Sequence, residues 1–209
     1  MDEKNDDNID IYTYKIILLG DSDVSKTSLI ARFCDDIHEN MWISEIGIYS
    51  KTKFVKRKDK KIELKIWDTF DQEKFRSLAK YIINKMDGMI LVYDIGNKLS
   101  FKSIKMWYNN LREIVDFKKV GIILVGINSD KIREISEKMA QEFCQKNNIT
   151  FIEASTKNKK EVDDVFFKLI DIMININPKK NKNLISSTED DVKPKKKGFL
   201  VKNEKYYNY

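Results

Sequence analysis

Cysteine, histidine and long apolar runs are what this chain has least of. Its two cysteines, Cys34 and Cys144, stand far apart in 209 residues. They cannot build a disulfide framework, their spacing offers no zinc site, and so few thiols suit a reducing compartment. No apolar run approaches the ~20 residues that a membrane span needs. The opening Met1-Asp2-Glu3-Lys4-Asn5-Asp6-Asp7 is acidic, so it is neither a secretory signal nor an arginine-rich transit peptide. Asp2 where a glycine is required argues against myristoylation, and no cysteine follows Cys144 to take a prenyl group. A basic stripe interleaved with aromatics is also missing. The net charge of +6 comes from lysines spread along the whole chain, which reads as a solvated surface and not as a specific nucleic-acid site. An RNA-associated protein is the least favoured reading, and an affinity insensitive to salt would end it.

The length fits one domain with a full core. Residues 1–12 read as a flexible acidic tail. Residues 178–209 read as a disordered lysine-rich tail, in which nine lysines, among them Lys179, Lys180 and Lys182, meet only Glu189, Asp190, Asp191 and Glu204. Between them, residues 13–177 alternate strand-like and helical patterns. The expected strands are Lys15–Leu19, Lys51–Val55, Ile62–Trp67, Met89–Tyr93, Ile122–Val125 and Thr150–Ile152. The second and third flank the polar run Lys56–Lys61 and should form a hairpin. Helical stripes run over Thr27–Phe33, over Phe101–Val115, and through Val162, Val165, Phe166, Leu169, Ile170 and Met173. Strands alternating with helices imply a mostly parallel sheet covered on both faces. Ligands of such sheets bind at the carboxyl ends of the strands, which here carry Gly20, Asp68, Asn128-Ser129-Asp130 and Ser155-Thr156-Lys157.

The segment Gly20-Asp21-Ser22-Asp23-Val24-Ser25-Lys26-Thr27-Ser28 joins the first strand to the first helix. Its frame is that of a phosphate-binding loop, G-x-x-x-x-G-K-[ST], with Ser25 in place of the second glycine. Backbone N–H groups and a helix N-terminus would face an anion. Lys26 would reach the terminal phosphates and the Thr27 hydroxyl would ligate Mg²⁺. The loop is either a tolerated variant of a nucleotide site or the relic of one.

Several further phrases stand in a telling order: Lys26-Thr27-Ser28-Leu29-Ile30-Ala31-Arg32-Phe33, Ile46-Gly47-Ile48, Trp67-Asp68-Thr69, Gln72-Glu73-Lys74-Phe75-Arg76-Ser77-Leu78, Leu91-Val92-Tyr93-Asp94-Ile95 and Glu153-Ala154-Ser155-Thr156-Lys157. With them the chain resembles the Rab branch of the small GTPases from about Tyr12 to Ile176. The resemblance implies a single α/β P-loop GTPase domain, with a six-stranded, mostly parallel sheet, one antiparallel hairpin strand, and helices on both faces. It implies GTP or GDP with Mg²⁺, and switch segments that are released when the γ-phosphate is lost. By motif position Gln72 orients the attacking water, Asp68 holds Mg²⁺, Asp130 reads guanine, and Ser155, Thr156 and Lys157 close over the base. His38 falls where the family stacks an aromatic on the base; it stacks there or lies in solvent. Trp67 and Trp42 fall at aromatic partner-binding positions, for which packing between switch and core is an equal reading. The implied partners are effectors and regulators at the switch regions.

The departures from that pattern concentrate on the nucleotide. Asp23 and Ser25 replace glycines of the phosphate loop. Glu45 stands where the family has a threonine that ligates Mg²⁺, and Asp71 where it has the hinge glycine before Gln72. The guanine motif Asn-Lys-x-Asp reads Ile127-Asn128-Ser129-Asp130. Asp23, Glu45 and Asp71 therefore add carboxylates around a triphosphate. At ~4 Å and an effective dielectric of ~20, one like-charge pair costs about 4 kcal/mol. Even ~1.4 kcal/mol for each acid is a tenfold loss of affinity. Glu45 and Asp71 lie toward the γ-phosphate, so GTP should suffer more than GDP. The expectation is a Rab-like guanine-nucleotide switch of vesicle and membrane traffic, with weakened binding and slow or lost hydrolysis. The alternative is a pseudo-GTPase that serves as a nucleotide-independent interaction scaffold. A monomer is expected, cytoplasmic or peripheral on the cytosolic face of endomembranes, with at most weak or indirect membrane association.

Overall fold

The computed structural model of the chain describes residues 11–34, 42–43, 49–69, 82–128 and 132–178. Seven strands form one sheet: β1 (Ile11–Leu19), β2 (Trp42–Ile43), β3 (Tyr49–Arg57), β4 (Lys60–Asp68), β5 (Gly88–Asp94), β6 (Gly121–Ile127) and β7 (Thr150–Ala154). Their spatial order is β2-β3-β4-β1-β5-β6-β7. The six strands expected from the sequence are all present. The two-residue β2 extends the edge beside β3, where Trp42 pairs with Ser50 and Ile43 with Tyr49. β4, β1, β5, β6 and β7 run parallel, and β3 is antiparallel to β4.

The β3–β4 turn is tighter than the polar run Lys56–Lys61 suggested. Arg57 already pairs with Lys60, and only Lys58 and Asp59 lie between them, at φ 48° and 60°. Two successive left-handed residues match the twist of a two-residue hairpin, so the strands run almost to the tip.

Four helices are described: α1 (Lys26–Cys34), α2 (Lys98–Arg112), α3 (Glu137–Asn147) and α4 (Lys159–Ile176). Asparagine caps two of them. Asn97 Oδ1 accepts from the N–H groups of Leu99 and Ser100, and Asn158 Oδ1 from those of Lys160 and Glu161, satisfying donors that a first helical turn leaves unpaired. α2 ends three residues before the expected Val115, which folds back in a turn with its N–H on the Leu111 carbonyl at 2.8 Å. The helix expected after β6 is α3, for which no apolar stripe could be traced because its buried residues are only Ala140 and Cys144.

The pleat divides β1 between two cores. Tyr14, Ile16 and Leu18 face α1 and α4, while Ile17 and Leu19 face α2 and α3. β5 and β6 are buried along their whole length, as expected of strands covered on both faces. The first core centres on Phe33 and Phe166, stacked at 3.9 Å between centroids and 11° between planes. This pair ties α1, which leads out of the phosphate loop, to α4. Phe166→Ala is expected to cost about 3–5 kcal/mol, read as a lowered midpoint in urea unfolding with little change of slope.

Candidate nucleotide site

β1 delivers the phosphate loop to the carboxyl edge of the sheet. Leu18 pairs with Asp68 on β4, and Leu19 with Leu91 on β5, so the loop emerges between the two neighbours whose ends carry Asp68 and Asp94. Gly20 has φ 153°, and a Cβ there would lie 2.2 Å from the Val92 carbonyl oxygen. Only glycine lets the loop leave the strand this close to β5.

The remaining backbone demand falls on Ser25 and not on Asp23. Ser25 has φ 56°, while Asp23 is absent from the left-handed residues. The missing second glycine is therefore felt at Ser25, in a conformation that costs an L-residue roughly 1–2 kcal/mol. Asp23 is exposed, and its carboxylate accepts a hydrogen bond from the Ser22 hydroxyl at 2.6 Å.

Lys26 is 3% exposed. Its ammonium donates to the carbonyls of Gly20 at 3.0 Å and Asp21 at 2.6 Å, closing the loop on itself. Burial pushes the Lys26 pKa down, against the carboxylates of Asp68, Asp21 and Asp23, which favour the charged form. The Thr27 hydroxyl donates to Asp68 Oδ2. Burial raises the Asp68 pKa, opposed by that hydroxyl and by Lys26. Asp68 Oδ1 is buried and has no hydrogen-bond partner among the described residues. An unsatisfied carboxylate oxygen beside a hydroxyl is a hard-oxygen pair that fits Mg²⁺. Thr69, next in the chain, anchors this corner through its hydroxyl to the Leu18 carbonyl at 2.8 Å. Val24 is buried, and Ser28 is exposed.

The base end is built on β6 and β7, where Ile127 pairs with Ala154 and so sets Asn128 beside Ser155. Ile127, at the bracing-asparagine position, is 0% exposed. Asn128 is left-handed at φ 65°, a conformation asparagine tolerates well. Its amide turns inward and donates to Asp94 Oδ2 at 2.6 Å, and Asp94 Oδ1 accepts from the Gly96 N–H at 2.8 Å. Neither Ile127 nor Asn128 brings a cation to the base. Ser155 is buried, and its hydroxyl accepts the Lys157 N–H at 3.3 Å. Arg32 of α1 donates to the Lys157 carbonyl at 3.5 Å, which links the phosphate helix to the base loop.

Two residues of this region carried no assigned role in the sequence. Asp94 fixes Asn128, and Glu161 holds the base loop by accepting from the Ser155 N–H at 2.8 Å and the Asn158 amide at 2.7 Å. Asp94 did lie in one of the family-like phrases at a strand end, which was the available signal. Glu161 gave none. His38, Glu45, Asp71, Gln72 and Asp130 lie outside the described residues.

The fold and these strand ends define a P-loop nucleotide-binding domain of the α/β class. Residues 15–175 match the model of the Ras family. The chain is 37% identical over 185 residues to Ras-related protein Rab-8B of Bos taurus, covering 87% of this chain and 89% of that protein. It is 34% identical over 161 residues to Ras-related protein SEC4 of Candida albicans, covering 76% of each. Against Ras-related protein Rab-3 of Caenorhabditis elegans it is 35% identical over 170 residues, covering 80% and 77%. The chain belongs to the Ras family and, within it, to the Rab small GTPases. That family implies GTP or GDP with Mg²⁺ as ligands and effectors and regulators as partners. Among the described residues, no helix is long and apolar enough to cross a membrane.

Two outcomes follow from this geometry. Ser25→Gly should raise stability by about 1 kcal/mol, the relief of left-handed strain less the added freedom of the unfolded chain, measured by urea unfolding. Asp68→Asn should be more stable than the parent chain near neutral pH. The folded carboxyl has a raised pKa, so the cost of its charge is absent below the ordinary carboxylate range and complete above the folded pKa. The advantage of Asn should therefore grow as pH rises through that window, which unfolding curves at acid and neutral pH would show.

Proposed function

We propose that this Rab-family chain is a guanine-nucleotide-dependent switch of vesicle and membrane traffic, with weakened nucleotide binding and slow or absent hydrolysis. The domain expected at residues 13–177 opens two residues earlier, because Ile11 and Tyr12 pair with Lys61 and Ile62 in β1; residues 1–10 and 178–209 are taken as polar tails. It acts as a monomer, cytoplasmic or peripheral on endomembranes, and meets effectors and regulators through its switch segments. The observation that carries the reading is the phosphate end: Lys26 buried against the loop carbonyls, and Thr27 joined to Asp68 with one carboxylate oxygen unsatisfied. Lys26 and the loop N–H groups would hold the phosphates, Thr27 and Asp68 would hold Mg²⁺, and Asp130 with Ser155, Thr156 and Lys157 would take the base. Mg²⁺ would neutralise charge on the phosphates. Gln72 would orient the attacking water, and Glu45 would stand in for the threonine ligand.

A second reading, a pseudo-GTPase scaffold, draws on the base end. Ile127 replaces a polar brace, and the Asn128 amide is committed to Asp94. Extracting and identifying the nucleotide from purified protein separates the two. Stoichiometric GDP supports the switch. No nucleotide, together with no binding at millimolar GTP, supports the scaffold. The combined change Asp23→Gly, Glu45→Thr and Asp71→Gly should raise GTP affinity at least tenfold more than GDP affinity, because two of the three acids lie toward the γ-phosphate. Equal gains in a titration with both nucleotides would refute the charge argument.

A further inference from the structure

The outer face of α2 carries a repeat that its packing does not require. The helix buries Ser100, Phe101, Ile104, Tyr108 and Leu111, the usual stripe of a helix laid on a sheet. A second pattern runs along the opposite face at heptad spacing. Leu99 and Met106 stand seven apart and are 71% and 52% exposed. Lys98, Lys105 and Arg112 repeat at the same interval on one flank, and Lys102 falls between the two apolar residues. All four cations are exposed.

Among the described residues, none of these four cations forms an ion pair. Lys105 does lie 5.3 Å from the centroid of the Phe101 ring. Glu134 reaches the same helix, but its carboxylate accepts the Lys98 backbone N–H, at 3.1 Å. The acids of the neighbouring α3 are engaged on their own helix. Glu142 approaches Lys138 at 4.0 Å, and Glu137 accepts from the Gln141 amide at 2.7 Å. Lys98 and Lys102 are four apart, and Lys102 and Lys105 three apart. Like charges at these spacings weaken a helix, so the fold gains nothing from the row.

The register of the row fits a second helix. α2 has fifteen residues and is about 22 Å long, and the repeat runs its whole length. A seven-residue interval keeps one seam in contact with a helix that crosses at about 20°. Leu99 and Met106 give that seam an apolar contact. Charges that flank such a seam choose the partner and its direction.

We propose that the outer face of α2, with Leu99 and Met106 flanked by Lys98, Lys105 and Arg112, docks an acidic amphipathic helix of a partner protein. Charge complementarity selects carboxylates along the edge of that helix. A second copy of this chain is a poor occupant. Antiparallel pairing would set the cationic flank against itself, and parallel pairing would set it against the uncharged Ser103 and Asn110. The row offers no aromatic series on which bases of single-stranded nucleic acid would stack. The face uses none of the residues assigned to nucleotide, so it is independent of whether that site is occupied.

The test is fluorescence anisotropy of the full chain with a labelled synthetic helix of about three heptads, carrying leucine along its seam and glutamate on both flanks. Binding is expected and should weaken with salt. A peptide with lysine in place of each glutamate should not bind. The variant Lys98→Gln with Lys105→Gln and Arg112→Gln should bind about eightfold more weakly, roughly twofold for each exposed ion pair. The charge-conserving Lys98→Arg with Lys105→Arg and Arg112→Lys should bind as the parent does, which separates lost charge from lost fold. Absence of binding to the glutamate helix overturns the proposal, as does unchanged affinity of the glutamine variant. Equal binding of a glutamate peptide with serine along the seam would leave a bare polyanion contact. Tighter binding of a mixed-sequence RNA would assign the row to nucleic acid, and a dimer of the chain that Met106→Gln dissociates would assign the face to a second copy. Each of these three results overturns the helix assignment.

Discussion

The Lys26 ammonium is the constraint around which the site is arranged. It is buried, and burial makes a charged ammonium costly unless neighbouring groups compensate. The compensation comes from the Gly20 and Asp21 carbonyls and from the field of Asp68, Asp21 and Asp23. The loop must therefore curl so that its own carbonyls point at the lysine. That curl sets the left-handed turn at Ser25 and the close approach of Gly20 to Val92. Asp68 is held in turn by Thr27 and Lys26 while keeping one oxygen unsatisfied. An arrangement that costs stability in isolation and would be relieved by phosphate and a cation is consistent with the proposed nucleotide site.

The base end has followed a different course. Ile127 is packed into the core, and Asn128 has been drawn into a buried contact with Asp94. The loop is anchored by Glu161, which accepts from the Ser155 N–H and the Asn158 amide. The two ends remain mechanically joined, since Phe33 stacks on Phe166 and Arg32 reaches the Lys157 carbonyl. Packing and one hydrogen bond thus connect the two ends whatever groups line the base end.

Much of this was legible in the chain because it rests on local patterns. The continuous apolar runs of β5 and β6 declared buried strands, and the glycine-to-lysine spacing declared the loop. What escaped depended on long-range contacts or on signals too short to carry a period. β2 has two residues, and the stripe of α3 reduces to Ala140 and Cys144. The strain at Ser25 could not be separated from strain at Asp23 without backbone angles. The Asp94–Asn128 bond joins residues 34 apart, and no spacing rule points to it.

On the proposed reading, the phosphate end binds nucleotide although Ile127 and Asn128 give the base end neither a polar brace nor a cation. Thermal unfolding with and without GDP and Mg²⁺, on the parent chain and on Lys26→Ala, tests it most directly. A ligand at a hundredfold excess over its dissociation constant stabilises by about 2.7 kcal/mol. The expected result is a rise in melting temperature that needs GDP and Mg²⁺ together and disappears in Lys26→Ala. No rise in the parent chain, or an equal rise in the variant, would contradict it.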